Sequence, residues 1–291
     1  MFKGSIVALV TPMLSNGDID YAQLEALIDF HVEQGTEAIV IAGTTGESAT
    51  LSPDEHCVLL NKSYEIINQR LPMIAGTGAN STSEAIHLTR CAADARAEAA
   101  LLVTPYYNKP TQRGLVLHHR AIAEAVAIPQ LLYNVPGRTA CDMQADTVAE
   151  LAGVSNIVGI KEATGSMQRL ADIKRQVGAD FALLTGDDST TCDFILNGGH
   201  GAISVTANVV PRQMARMCAL AAEGKAEEAR AADAEIADLH RLLFVESNPI
   251  PAKWAVSQMG YGELNLRLPM TVLDEAHQEP LRQAMIACGA L

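Results

Sequence analysis

Apolar and polar positions alternate along this chain in a repeating unit. A short apolar run ends in a glycine or polar turn, a segment with apolar residues every three or four positions follows, and the next apolar run begins. The runs are SIVALV (5–10), EAIVIAG (37–43), PMIAGTG (72–78), AALLVTP (99–105), PQLLYNV (129–135), NIVGIKE (156–162), FALLTGD (181–187) and GAISVTA (201–207). They are apolar on both faces, as parallel strands are when helices cover one side and a packed interior the other. Between them, DYAQLEALIDFHVEQG and SPDEHCVLLNKSYEIINQR have helical spacing. The second opens with Ser52 as N-cap, Pro53 at the first helical position and Glu55 completing a capping box, and Ser81 to Glu84 repeats the Ser-x-x-Glu start.

Eight strand–helix units, each too short to stand alone, predict an α/β protein closed into a (β/α)₈ barrel over residues 1–224. A doubly wound open sheet ranks second, because no Gly-x-Gly-x-x-Gly follows the first strand. Residues 225–291 predict a small helical appendage packed on the barrel. It comprises one long alanine-rich helix (GKAEEARAADAEIADLHRLLFVES), a second helix in PIPAKWAVSQMG and a third in EPLRQAMIACGAL, with Leu239, Leu242, Leu243 and Phe244 needing burial.

Composition narrows the function classes. The 34 acidic and 21 basic side chains give a net charge of −13. That balance argues against nucleic acid and against an anionic membrane surface, both of which need concentrated positive charge. It does not exclude an anionic substrate, because one or two cations in a cleft outweigh a distant negative surface. MFKGSIVALVTP reads as a first strand and not a signal peptide, and no apolar run is long enough to span a bilayer. Cysteines at 57, 91, 141, 192, 218 and 288 are widely spaced. They are expected to be free, buried thiols of a cytoplasmic protein. The histidines show no metal-binding spacing, and His118 and His119 fall in a surface-like helix pattern.

In such a barrel the chemistry lies at the C-terminal ends of the strands. Lys161 ends the sixth run, and alternation places it inward with Ile157 and Gly159, while Ile160 and Glu162 face the helices. A buried lysine needs a reason. It is either an amine nucleophile toward a ketone, or half of a structural ion pair with Asp187 or Asp188. Tyr133, on the neighbouring strand, can relay protons or simply pack its ring. Thr44 can serve as its relay partner or cap a turn. Arg138, in the loop after the fifth strand, is a planar fork suited to a carboxylate. Gly186 leaves room for a ligand, and Tyr106 and Tyr107 form an aromatic pair at the barrel mouth.

With these residues in place, GTTGES (43–48), IAGTGAN (74–80), VTPYYNKP (103–110), LLYNVPGRT (131–139), IVGIKEAT (157–164) and LLTGDD (183–188) together resemble the pyruvate-dependent class I lyase family, typified by N-acetylneuraminate lyase and dihydrodipicolinate synthase. Arg138 and the KEAT segment favour the dihydrodipicolinate synthase branch. The resemblance implies that Lys161 forms a Schiff base with pyruvate, whose enamine attacks L-aspartate 4-semialdehyde at the head of lysine biosynthesis. It makes Tyr133, Thr44 and Tyr107 a proton relay, with Tyr107 supplied by a neighbouring subunit. Thr45 and the backbone near Tyr133 and Ile203 would hold pyruvate, and Arg138 and Gly186 would receive the semialdehyde. It also implies a homotetramer built as a dimer of dimers. An L-lysine effector site would lie between paired subunits at Ser48, Ala49, His56, Asn80, Glu84 and Tyr106, weakened by Pro53 where inhibited relatives carry histidine. No cofactor or metal is called for, although a monovalent cation held by backbone carbonyls would leave no mark on the sequence. Aldolases of sialic acid, keto-deoxy sugar acids or hydroxy-oxoglutarate are the enzymatic alternatives, and a catalytically silent regulatory barrel is the non-enzymatic one.

Overall fold

The computed structural model describes residues 1–291. Its elements run β1 (Gly4–Ala8), α1 (Tyr21–Glu33), β2 (Ala38–Ile41), α2 (Pro53–Ile67), β3 (Met73–Gly76), α3 (Thr82–Asp94), β4 (Ala99–Val103) and α4 (Gln112–Ala125). There follow β5 (Gln130–Asn134), α5 (Pro136–Thr139), α6 (Ala145–Ala152), β6 (Ile157–Glu162), α7 (Met167–Lys174), β7 (Ala182–Thr185), α8 (Thr191–Leu196), β8 (Gly201–Ser204) and α9 (Pro211–Ala222). Every strand is parallel to its neighbours, and β1 pairs with both β2 and β8, so the sheet closes into a barrel. Each apolar run therefore became one strand.

Side-chain alternation divides the apolar residues between two cores. Ile6, Val40, Ile74, Leu101, Leu131, Leu184 and Ile203 fill the barrel interior. Val7, Ile39, Leu132, Ile160 and Leu183 face outward against the helices. One expectation fails here. Ile157 joins the outer core beside Ile160, because the β5–β6 register slips between Gln130 and Leu131 and offsets the alternation by one residue. Gly159 and Lys161 keep the inward phase.

Helix starts follow the caps in part. The Ser52 hydroxyl accepts from the Glu55 N–H (3.2 Å) with Pro53 in the first turn. Ser81 makes no such bond, its hydroxyl lying 3.0 Å from that of Ser83. His118 and His119 are buried against the barrel, not on the surface. Burial lowers their pKa values to about 4 and about 3, so both are neutral at physiological pH.

The tail is more broken than its pattern suggests. The alanine-rich stretch forms two helices, α10 (Ala226–Ala234) and α11 (Ala237–Leu242), separated at Ile236. Ile236, Leu239, Leu242 and Leu243 all enter one core, on the face that Ala229 and Ala232 continue. Phe244 stays exposed. α12 (Ile250–Gln258) and α13 (Glu275–Ala287) complete the chain, and Trp254, Leu281 and Met285 enter the same core as Ile28 and Leu59. No helix is long and apolar enough to cross a membrane.

The cysteines also depart from expectation. Cys57 on α2 and Cys91 on α3 are joined by a disulfide, with their Cα atoms 5.4 Å apart. Their separation of 34 residues hid the pair, because only the side-by-side packing of two consecutive helices brings them together. Cys141, Cys192 and Cys218 are free and buried, and Cys288 is half-buried.

A buried ion pair ties the tail to the barrel mouth. Lys253 on α12 bonds Glu47 in the loop after β2, both side chains being almost wholly out of solvent. Glu47 also accepts from the Arg267 N–H (3.1 Å), while the Arg267 guanidinium grips Glu55 and the carbonyls of Gly17 and Thr50. Removing one partner of such a pair strands a charge and costs about 3–5 kcal/mol. Glu47→Gln should therefore lower the unfolding free energy by about that much. Arg120→Ala, which breaks the exposed pair with Glu150, should cost under about 1 kcal/mol. Urea unfolding at matched protein concentration checks this, and equal losses would show that the buried pair holds nothing.

Candidate functional site at the barrel mouth

A cavity of about 550 Å³ opens at the C-terminal ends of the strands. Its wall includes Thr44, Thr45, Gly76, Thr77, Tyr133, Arg138, Lys161 and Gly186. The β5–β6 register sets Tyr133 beside Lys161 and Leu131 beside Gly159. Both side chains line the cavity, and the Lys161 Nζ lies 4.3 Å from the centre of the Tyr133 ring.

The structural alternative for Lys161 is not realised. The residue is 5% exposed, yet it makes no ion pair. The two aspartates in reach of that role by sequence, Asp187 and Asp188, are engaged elsewhere. Asp187 caps its own turn, accepting from the Thr190 N–H (3.2 Å) and the Ser189 hydroxyl (2.6 Å). Asp188 accepts from the N–H groups of Val205 and Thr206, each at 2.9 Å. Gly186 makes the lysine's position possible, since a Cβ there would lie 2.5 Å from Lys161 Cε and 2.8 Å from Ala163 Cβ.

The loop after β2 brings two hydroxyls to the same space. Thr44 lines the cavity without a hydrogen bond to Tyr133, and Thr45 is buried, its hydroxyl accepting from Asn248 Nδ2 at 2.9 Å. Arg138 sits on the single turn of α5, exposed, at the cavity rim and in no ion pair, so its fork is free. Ile203 contributes its side chain to the barrel interior and not to the cavity wall. Tyr107 is also absent from the wall. It is 88% exposed and held at φ +74°, a conformation that bulky residues rarely adopt.

The six positions expected to form an effector site do not all meet. Asn80 donates to the Tyr106 carbonyl (3.3 Å), and the Glu84 carboxylate, after burial itself, raises the Tyr106 phenol's pKa, so these three are neighbours. Ser48 faces the main cavity, and Ala49 is exposed beside it. His56 is buried, with Nε2 2.8 Å from the Gly76 carbonyl. Burial holds its pKa below the usual value. Its imidazole is tied by that bond to the end of β3.

Several residues at or behind the site went unread in the sequence. His240, Arg241, Phe244 and Asn248 from the tail complete the cavity wall. Behind Tyr133 and Lys161, on the outer face of the same strands, Asn134 donates to Glu162 (3.1 Å) and Asp142 (2.9 Å). Arg169 closes that cluster with two bonds to Asp142, which holds the Asp142 carboxyl below its ordinary pKa. Burial pushes Glu162 upward. The signal for the outer cluster was a polar residue at an outward position of an apolar segment, Asn134 and Glu162.

Comparison with known proteins accords with this geometry. A profile of the dihydrodipicolinate synthetase family matches residues 1–287. The chain belongs to that family. It is 57% identical over 289 residues to a 4-hydroxy-tetrahydrodipicolinate synthase of Thioalkalivibrio sulfidiphilus, covering 99% of this chain and 98% of the relative. Among solved structures, the chloride-inhibited dihydrodipicolinate synthase of Acinetobacter baumannii, complexed with pyruvate, superposes with a TM-score of 0.98 at 51% identity over the whole of both chains. The DHDPS of Cyanidioschyzon merolae, with lysine bound, gives 0.96 at 42% identity over 100% of this chain and 99% of the other.

Gly186→Ala tests the packing of the lysine. The added methyl must displace the Lys161 side chain, and a misplacement near 1 Å costs about a hundredfold in rate. Borohydride-trapped adduct formation with pyruvate should slow by about that factor while the circular dichroism spectrum stays unchanged. Trapping at the wild-type rate would show that the side chain has room elsewhere.

Proposed function

We propose that the chain condenses pyruvate with L-aspartate 4-semialdehyde, the reaction of 4-hydroxy-tetrahydrodipicolinate synthases, through a Schiff base on Lys161. The observation that carries this reading is a buried lysine with no carboxylate partner, set against a tyrosine ring in a cavity of small-molecule size. As a free amine Lys161 attacks the pyruvate ketone, and loss of water leaves the imine. A methyl proton departs to give the enamine, whose carbon bonds to the semialdehyde carbon. The second substrate's own amino group then replaces Lys161 on the former ketone carbon, closing the ring and freeing the enzyme.

Tyr133 and Thr44 are placed to move protons between these steps. Thr45 and the strand-end backbone near Tyr133 and Ile203 hold pyruvate, and Gly186 leaves it space. The unpaired Arg138 fork at the rim receives the semialdehyde carboxylate. The outcome expected on this reading is a pyruvate adduct that mass spectrometry places on Lys161 and that Lys161→Ala abolishes. Arg138→Ala should keep the adduct but raise KM for the semialdehyde by about ten- to a hundredfold, the worth of a charge-assisted bond of about 1.5–3 kcal/mol. N-acetylmannosamine should not replace the semialdehyde. An adduct on Lys109 or Lys253, or loss of trapping in Arg138→Ala, would overturn the assignment.

The reading extends to assembly. An 88% exposed Tyr107 in a left-handed conformation, beside Tyr106 in a chain with 4% aromatics, supports an aromatic pair covered by a second subunit. Tyr107 would reach the partner's relay, within a dimer-of-dimers tetramer. Asn80, Glu84 and Tyr106, together with Ser48, Ala49 and His56, would offer an L-lysine effector between paired subunits a carboxylate for its ammonium and donors for its carboxylate. Pro53, with neither N–H nor polar side chain, takes one contact from that site. Sedimentation should therefore show an oligomer, and calorimetry should show L-lysine binding with only partial inhibition. A fully active monomer, or near-complete inhibition by L-lysine, would contradict these features in turn.

A further inference from the structure

On the outer flank of the barrel, a second constellation is independent of the cavity chemistry. α2 presents Cys57, and α3 presents Cys91 with His87 one turn before it, a spacing of four that puts both on the face toward α2. The two sulfurs and an imidazole nitrogen lie within 4.8 Å of one another. The cysteines are half-buried and His87 is exposed, so the group is open to solvent and to small reagents. A cross-link that only braced two helices would have no use for the imidazole.

We propose that Cys57, His87 and Cys91 form a redox-gated site for a thiophilic divalent cation of the zinc class. Oxidised, the two thiols are the disulfide and the site is closed. A dithiol reductant opens it by exchange: the Cys57–Cys91 bond breaks, each sulfur gains one electron and one proton, and the reductant leaves as its own disulfide. The cation then displaces the two thiol protons to solvent and bonds two thiolates and the His87 imidazole, with water in the fourth position.

Three soft or borderline ligands suit Zn²⁺, and tetrahedral Zn–S bonds of about 2.3 Å require the sulfurs to separate to about 3.8 Å. Cα atoms 5.4 Å apart on two neighbouring helices allow that by side-chain rotation, and partial exposure means that no core must be repacked. Either state fastens α2 to α3. These helices also hold the cavity wall: His56, next to Cys57, binds the Gly76 carbonyl, and Thr89, two residues before Cys91, donates to the Thr77 hydroxyl.

Zinc titration of the full-length protein against a chromophoric chelator tests the site, with Co²⁺ as a spectroscopic substitute. Reduced protein should bind one Zn²⁺ per chain and should show thiolate-to-cobalt charge-transfer absorption. The disulfide form should do neither. Because Cys57→Ser also removes the cross-link, His87→Ala is the decisive variant, since its exposed side chain bears no packing. It should weaken binding at least about tenfold, the smallest loss usual even for an outer-shell partner. Reduced protein that fails to compete for zinc, His87→Ala that binds as tightly as wild type, or a disulfide form that binds equally well would each overturn the proposal.

Discussion

An ammonium and a carboxylate, both hidden from water, decide how this chain is put together. Lys253 and Glu47 are 206 residues apart, one in a late helix and the other in the first functional loop. Burial pulls the Lys253 pKa down, and Glu47 pushes it back up. Neither charge is tolerable there alone. Glu47 also stands at φ +59°, where a non-glycine residue is held only by its surroundings. The pair thus fixes the turn carrying Thr44 and Thr45 and seats the tail whose residues His240, Arg241, Phe244 and Asn248 finish the cavity. Without that fastening the barrel mouth would lack one side.

The strands act as two-faced rods around this frame. At the ends of β5 and β6, Tyr133 and Lys161 point into the cavity, while Asn134 and Glu162 point out into the cluster with Asp142 and Arg169. The bonds of Asn134 and Glu162 in that outer cluster restrain the two strands from which Tyr133 and Lys161 project. Lys161, which has no polar partner of its own, is held by its strand, by the Tyr133 ring and by the space that Gly186 leaves. On the proposed reading Lys161 is a reactive amine that must stay uncommitted, and groups on the outer face of its strand position it instead.

What could be read without coordinates follows from this division. The eight strands were legible because a parallel strand covered on both faces is apolar throughout, and the adjacency of Tyr133 and Lys161 followed from barrel order. Ile157 was misplaced because a slipped register is a relation between two strands, which the period of either one alone does not reveal. The break at Ile236 escaped because alanine-rich sequence suits a helix on either side of it. His118 and His119 looked exposed because neutral imidazole and charged imidazolium are the same letter, whereas burial selects the neutral form. The Cys57–Cys91 pair and the Lys253 partner are contacts between distant segments, and a lone polar residue in an apolar segment announces a partner without naming it.

A net charge of −13 opposes the approach of carboxylate substrates, and the resolution lies in where the charges sit. Most acidic groups are on the surface, where water and salt screen them beyond about 8 Å. The two aspartates in the cavity wall are engaged by donors, Asp188 by two main-chain N–H groups and Asp187 by its own turn. Arg241 at the rim shares its charge with Asp238, but Arg138 has no counter-ion and faces the cavity. An unpaired guanidinium beside a low-dielectric opening projects a stronger field into it than distant surface carboxylates can oppose. A substrate carboxylate therefore meets positive charge at the rim of an otherwise acidic molecule. On the proposed reading, that free fork bears on which second substrate is accepted and not on the chemistry at the lysine.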